Sequence, residues 1–317
     1  MATSRELNDK IIDAGQLADG SDYHVRCMEM SDVPEALEVW KEVGLYEGLH
    51  TIESFLQVDP EGFFVAVRNN DGLVIGTLSG VFVDPRTAFI GLYAVRPKFQ
   101  GHGIGMRLWQ KMLNHVGDRN AGLHAVPKLQ KTYQEKAGFK LLDERKIFEY
   151  KSMSLRTDDL VHKIDNIAVV PMDENMIDSA IAYDERILFY NRGKLLRAIF
   201  GEKDALALAA IDQDNGKIVG YGCIKKNNID TAMSGPVYAE NDAVAELIVF
   251  NLITKFNLAQ EKGLNMMVPD CNPGAIRIAQ KLGMIKHEEL PRLFTKNIPD
   301  ADFDKIYCIT VANFSPF

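Results

Sequence analysis

The chain has 317 residues, of which 46% are hydrophobic and 25% charged, with a formal net charge of −8. That length exceeds one ordinary hydrophobic core and favours two domains, while the acidic balance disfavours a face for nucleic-acid phosphates. No apolar run reaches the roughly 18 residues of a membrane span, and Cys27, Cys223, Cys271 and Cys308 show no paired spacing for a disulfide framework or a zinc site.

Residues 1–21 are polar, lack a signal-peptide core and are expected to be disordered or extended in a cytoplasmic protein. Asp32 as an N-cap predicts a helix over 33–43, with Val33, Ala36, Val39 and Trp40 on one face. A short helix after Thr51 has Ile52, Phe55 and Leu56 as its apolar side. Strands at 62–68, 73–82 and 87–95 read as an antiparallel meander, with Asp71-Gly72 supplying the first hairpin turn. "VRPKFQGHGIGMRL", residues 95–108, then places Gly101, Gly103 and Gly105 at the start of a helix over 103–117, whose apolar face is Ile104, Leu108, Met112 and Val116. "GLHAV" reads as a strand, 129–137 as a helix, and 139–142 and 146–151 as two final strands.

The pattern then recurs. "AVRNNDGLVIG" at 66–76 aligns without a gap on "AIDQDNGKIVG" at 210–220, and fifteen residues beyond each comes Gly91 or Gly235. "AVP" at 125–127 precedes Gly138-Phe139 as "MVP" at 267–269 precedes Gly283-Met284. Two copies of one unit are expected, a first domain over 22–152, a linker over 153–166 and a second domain over 167–317. The second copy reads as helices at 173–188 and 191–199, strands at 205–211 and 217–225, a helix at 242–262, a strand at 264–268 and a helix at 272–282. Mixed strands flanked by helices make the class α/β (α+β), with mostly antiparallel sheets. In the ungapped register the three loop glycines fall opposite Ala245, Leu247 and Val249, so the glycine loop occurs once.

Such a loop is either a tight turn or an anion-binding helix start, where unpaired N–H groups and the helix dipole favour negative charge. No Gly-Lys-Ser/Thr follows, which excludes a triphosphate P-loop, and a loop after an antiparallel meander is out of place for a dinucleotide fold.

"LYAVRPKFQGHGIGMRL" resembles the acetyl-CoA signature of the GNAT N-acetyltransferase superfamily, Gln/Arg-x-x-Gly-x-Gly/Ala after a strand ending in Val-x-Pro, with Gln100, Gly103 and Gly105 at the motif positions and Val95 and Pro97 ahead of them. The two-copy arrangement is similar to tandem GNAT proteins whose C-terminal copy has lost the cofactor loop, and "VPDCNPGAIRIAQKLGM" resembles such a domain. The resemblance implies that Gln100, Gly101, His102, Gly103, Ile104, Gly105 and Met106 hold the CoA pyrophosphate. It further implies that Tyr93, Ala94 and Val95 pair with the pantetheine amides, and that a backbone N–H at Val95 or its neighbour serves as oxyanion donor. The activity so implied is acetyl transfer from acetyl-CoA, as cosubstrate and without metal, to a primary amine. Transfer is direct, in a ternary complex, to a small-molecule or peptide acceptor, and the protein is a monomer or homodimer without nucleic-acid or membrane partners. The alternative is an acyl-CoA-binding pseudoenzyme or regulatory module.

Family members place an acidic tyrosine four residues before the Gly-Phe pair, where this chain has Gln134; Tyr133 stands one place away and six residues after Pro127. Tyr133 is either the acid for the departing thiolate or a ring packed beneath the cofactor. His124 is a candidate base or an inert strand histidine, and Glu47, in "GLYEGLH", a weaker candidate in the acceptor segment. Asp184, Glu185 and Tyr190 either line an acceptor pocket at the domain junction or belong to an amphipathic helix pair.

Overall fold

A computed structural model describes residues 13–317. In the first half, the hairpin β1 (Asp13–Gln16) and β2 (Asp22–Cys27) leads to α1 (Val33–Glu42) and α2 (Thr51–Val58). The meander β3 (Phe63–Arg68), β4 (Val74–Asp84) and β5 (Thr87–Val95) follows, then α3 (Ile104–Val116), β6 (Asn120–His124), α4 (Gln130–Lys136) and β7 (Leu141–Ser152). The expected helices and meander are present, with Gly72 at φ +73° in the first turn. Asp32 caps differently from expectation: its carboxylate accepts from the Glu29 amide of the preceding 3-10 turn at 2.7 Å and pairs with Arg26, making no side-chain cap to α1. The two short strands expected at 139–142 and 146–151 are one continuous strand, β7.

The second half contains β8 (Ile167–Pro171), α5 (Glu174–Leu188), α6 (Gly193–Phe200), β9 (Ala205–Asp212), β10 (Lys217–Lys226) and β11 (Ala232–Ala239). After these come α7 (Asp242–Lys255), α8 (Asn257–Lys262), β12 (Leu264–Pro269), α9 (Pro273–Lys281), β13 (Ile285–Phe294) and the short β14 (Ile306–Cys308). The helix expected over 242–262 breaks at Phe256. Only Glu240 and Asn241 connect β11 to α7, against eight residues between β5 and α3. The glycine loop is therefore deleted in the second copy, and Ala245, Leu247 and Val249 lie buried inside α7.

All strands join one sheet in the order β1-β2-β3-β4-β5-β6-β13-β7-β12-β11-β10-β9-β8, with β14 on β11. Only β5–β6 and β11–β12 are parallel. The order crosses between the halves: β13 pairs with β6, setting Arg292 opposite His124, while β7 pairs with β12 from Leu264↔Ser152 to Pro269↔Ile147. Each half thus receives a strand from the other. Residues 153–166 separate the two sequence repeats, but the sheet runs on across them.

The cores mix as well. Trp40, Phe55 and Phe63 pack with Leu195, Ile199 and Phe314 in one apolar cluster. Phe314 has no solvent exposure, and its ring lies 4.9 Å from Phe55, 5.4 Å from Phe63 and 6.2 Å from Trp40. Beside this cluster a buried ion pair joins Lys225 Nζ to Glu202 Oε2 at 2.7 Å, while the same ammonium donates to Thr51 Oγ1 at 3.3 Å. Charges this deep are tolerated because each has its partner.

Candidate active site

β5 and β6 pair only over Thr87–Phe89 and Asn120–Gly122, then diverge. Beyond Phe89 none of the described strands pairs with the β6-facing side of β5, which leaves backbone groups there for a ligand. A bulge in β5 helps open this gap. Leu92 and Tyr93 together oppose Leu78, with Leu92 at φ +54°, a conformation β-carbons disfavour. Thr77 stabilises the bulge by donating to the Leu92 carbonyl at 2.7 Å while accepting from Trp40 Nε1 at 3.1 Å.

A groove of about 590 Å³ runs from this open edge to the first turn of α3, a size usual for small-molecule sites. Of the residues predicted to bind cofactor, Tyr93, Ala94, Val95, Gln100, Gly101, Gly103, Ile104, Gly105 and Met106 line it. His102 does not; its ring turns back toward the Phe99 carbonyl, 3.2 Å from Nδ1. Gly103 is the N-cap of α3 at φ +74°, with no side chain to satisfy the first amides. A β-carbon at Gly101 or Gly103 would meet nothing within 4 Å, so these glycines border open space, whereas one at Gly105 would run into the Tyr93 hydroxyl. An uncapped helix start facing a groove fits a pyrophosphate. α7 differs at its start, where the Asn241 side chain accepts from the Val244 amide at 3.1 Å and closes that end.

Tyr133 is not among the residues lining the groove; it packs among aromatic rings, 6.0 Å from Trp109 and 6.1 Å from Phe139. Burial, with a smaller contribution from Tyr93, raises its phenol to about 12, so the hydroxyl keeps its proton at neutral pH. His124 ends β6. Its Nδ1 lies 2.8 Å from the Ala312 carbonyl, which places the hydrogen on Nδ1 and leaves Nε2 an enclosed lone pair without a partner among the described residues. Burial and then the nearby Arg292 guanidinium lower its pKa to about 3, so the ring is neutral in the working range.

His124 and the groove meet at a second cavity of about 130 Å³, which shares Leu45, Val126 and Glu288 with the groove. Its far wall comes from the exchanged strands. Glu149 of β7 accepts from the Tyr46 hydroxyl at 2.5 Å and lies 2.8 Å from His287 Nδ1 and 2.9 Å from Lys151 Nζ. Burial and Glu149 hold the Tyr46 phenol well above its usual pKa, so it remains a donor. Glu47 sits just behind, accepting from Asn313 Nδ2 at 3.1 Å and from the Gly48 amide at 2.8 Å. Burial raises its pKa to about 7. Sequence reasoning missed Glu149, His287, Glu288 and Asn313, because only the strand crossing and the fold-back of the C-terminus bring them here.

The residues singled out at the junction lie elsewhere. Asp184 is sealed in an ion pair with Arg192 at 2.6 Å, Glu185 accepts from Asn191 at 2.7 Å, and Tyr190 lines a separate cavity of about 160 Å³ with Phe55, Phe82 and Leu195. None borders the groove or the cavity beside it.

The second domain opens a similar gap, since β11 and β12 pair only over Ala232–Ser234 and Leu264–Met266. Here the chain fills it. β14 pairs with β11, and the Ile309 amide donates to the Met267 carbonyl at 2.9 Å. The same segment then reaches the first domain, where Asn313 passes so close to Gly91 that a β-carbon there would overlap its carbonyl.

A splayed strand pair, a glycine-rich helix start between them and a second, closed copy define an acyl-CoA-dependent transferase of two related domains. Residues 26–139 match the model of the acetyltransferase (GNAT) family and residues 180–308 that of an acetyltransferase (GNAT) domain. The chain belongs to the GNAT family, as a tandem member, and acyl transfer from CoA is its class of chemistry. It is 26% identical to the holothin acyltransferase of Pseudoalteromonas sp. over 285 residues, 87% of this chain and 91% of that protein. An acetyltransferase-like protein of Pyrococcus horikoshii shares the fold with a TM-score of 0.71 at 18% identity, covering 92% of this chain and 96% of that one. A tandem GNAT protein of the clavulanic acid biosynthesis pathway does so with a TM-score of 0.61 at 13% identity, covering 86% and 98%.

Proposed function

We propose that this protein transfers an acetyl group from acetyl-CoA directly to a primary amine, both substrates being bound in the first domain's site at once. The carrying observation is the adjacency of the two cavities: the groove along β5 and the pocket beside His124 share Leu45, Val126 and Glu288 as walls. A donor and an acceptor then meet without a covalent enzyme intermediate. The relative named for holothin accords with acyl transfer to a discrete acceptor.

In this reading the amides from Gln100 to Gly105 hold the pyrophosphate and the free edge of Tyr93–Val95 holds the pantetheine arm. A backbone N–H of the bulged Leu92–Val95 stretch donates to the oxygen of the thioester carbonyl as charge develops there. Tyr133, protonated at working pH, gives the departing thiolate its proton. The second domain, its own gap filled, supplies walls rather than a second site.

Two measurements test this. Thiol release from acetyl-CoA should depend on an added primary amine; tight acetyl-CoA binding with no release from any amine would make the chain a CoA-binding module without turnover. Isothermal titration of Gly103→Trp should show acetyl-CoA affinity reduced at least about tenfold from wild type, because the indole enters the space at the α3 start. Equal affinities would refute the loop assignment.

A further inference from the structure

Among the acidic side chains around the two cavities, Glu288 alone lines both. Its position follows from an irregularity in β13. Lys286 pairs with Tyr150 and Glu288 with Glu149, so His287 is an extra residue, and the bulge re-aims the side chains on either side of it. The two carboxylates that face each other across these strands differ in state. Glu149 is saturated by Tyr46, His287 and Lys151. The Glu288 carboxylate has no hydrogen bond or ion pair among the described residues.

A second group points the same way. His124 borders the cavity that Glu288 borders, and its ring, neutral in the working range, sets no positive charge against an arriving ammonium. The cavity is compact, about 130 Å³, close to the roughly 150 Å³ that accommodates a benzene ring. Leu45, Val126, Met267, Leu290 and Ala312 give it apolar walls beside the polar groups of Tyr46, Glu149, Lys151 and His287.

We propose that this cavity takes a compact primary amine carried on a small ring or branched apolar body, with Glu288 as the catalytic base. The assignment rests on the acyltransferase reading above. The amine arrives as an ammonium, and the Glu288 carboxylate takes one proton to give the neutral nucleophile. The nitrogen lone pair forms the C–N bond while the thioester C=O electrons move to oxygen. Return of those electrons breaks the C–S bond, and the thiolate takes the Tyr133 proton. The nitrogen's surplus proton restores the tyrosine, and Glu288 releases its proton to solvent. The balance is one ammonium and one acetyl-CoA to one amide, one CoA thiol and one proton.

The test compares wild type, Glu288→Gln and Glu288→Asp with acetyl-CoA and four amines: benzylamine, furfurylamine, cyclohexylamine and spermine. Expected results are thiol release with the ring amines at a kcat/KM at least about tenfold above that with spermine, a fall in kcat of about 100-fold or more in Glu288→Gln, and partial recovery in Glu288→Asp. The thermal unfolding midpoint should stay within about 2 °C of wild type in both variants, which separates loss of the base from loss of the fold. Glu288→Gln within threefold of wild type, or spermine preferred over the ring amines, overturns this inference while leaving the acyltransferase intact. Acetyl-CoA binding without thiol release from any amine overturns both.

Discussion

Replacing Phe314 by alanine measures how firmly the end of the chain is built into the first domain. The ring is fully buried against Trp40, Phe55 and Phe63, and the substitution leaves a cavity that these large neighbours fill poorly. Phe→Ala at such positions costs about 3–5 kcal/mol, and three aromatic contacts favour the upper half of that range. Against a usual total stability of about 5–15 kcal/mol, that is a large fraction. Urea unfolding followed by the fluorescence of Trp40 and Trp109 reads it directly. With m about 3 kcal/mol/M, the midpoint should fall by roughly 1.3–1.7 M. Phe314→Leu keeps most of the volume and should recover more than half of the loss. Turnover should fall in the alanine variant too, since Ala312 and Asn313 hold His124 and Glu47. A loss below about 1 kcal/mol would refute the claim that this residue locks the C-terminus into the core.

Two further outcomes follow from buried charges at the same junction. Glu47 keeps its proton to about 7 when folded, against 4.5 when free, so the folded state holds the extra proton between those values and stability falls as pH rises through them. The loss amounts to roughly 3 kcal/mol by pH 8. Glu47→Gln should flatten this slope in urea titrations at pH 5–8, and an unchanged slope would show that another group causes it. Lys225→Met strands Glu202 without its partner and should cost about 3–5 kcal/mol, whereas Lys225→Met with Glu202→Leu should recover most of that. If the double variant is no more stable than the single one by thermal unfolding, the pair is not the source of the cost.

Local chemistry made much of the first domain legible. The 3.6-residue pattern of Ile104, Leu108, Met112 and Val116 and the Asp71-Gly72 turn are short-range signals, and the corresponding helix and hairpin are present. The glycine cluster was readable because an uncapped helix start demands it. What stayed hidden was non-local. An alternating strand such as β7 says which face is apolar but not which strands lie beside it, so nothing in 141–152 announced β12 and β13 as neighbours. The bulge at Leu92 was equally silent, since leucine carries no signal for positive φ. The ungapped repeat misled at the second helix, where a deletion preserved hydrophobicity while removing the loop. Glu149 and Glu288 escaped for the same reason as the strand exchange: each looks like a solvated strand glutamate until the other is opposite it.

The exchanged strands also impose an order on biosynthesis. When the ribosome has released β7, its two partners do not yet exist, and at about 5–20 residues per second they follow on the order of ten seconds later. In that interval the nascent chain carries a long strand with both edges open, and β6 ends in a bare edge as well, the kind of surface that pairs with the wrong neighbour. The first-domain core closes only when Phe314 arrives beside Trp40. A translation product that stops before β13 therefore lacks Glu288 and Leu290, two walls of the cavity beside His124.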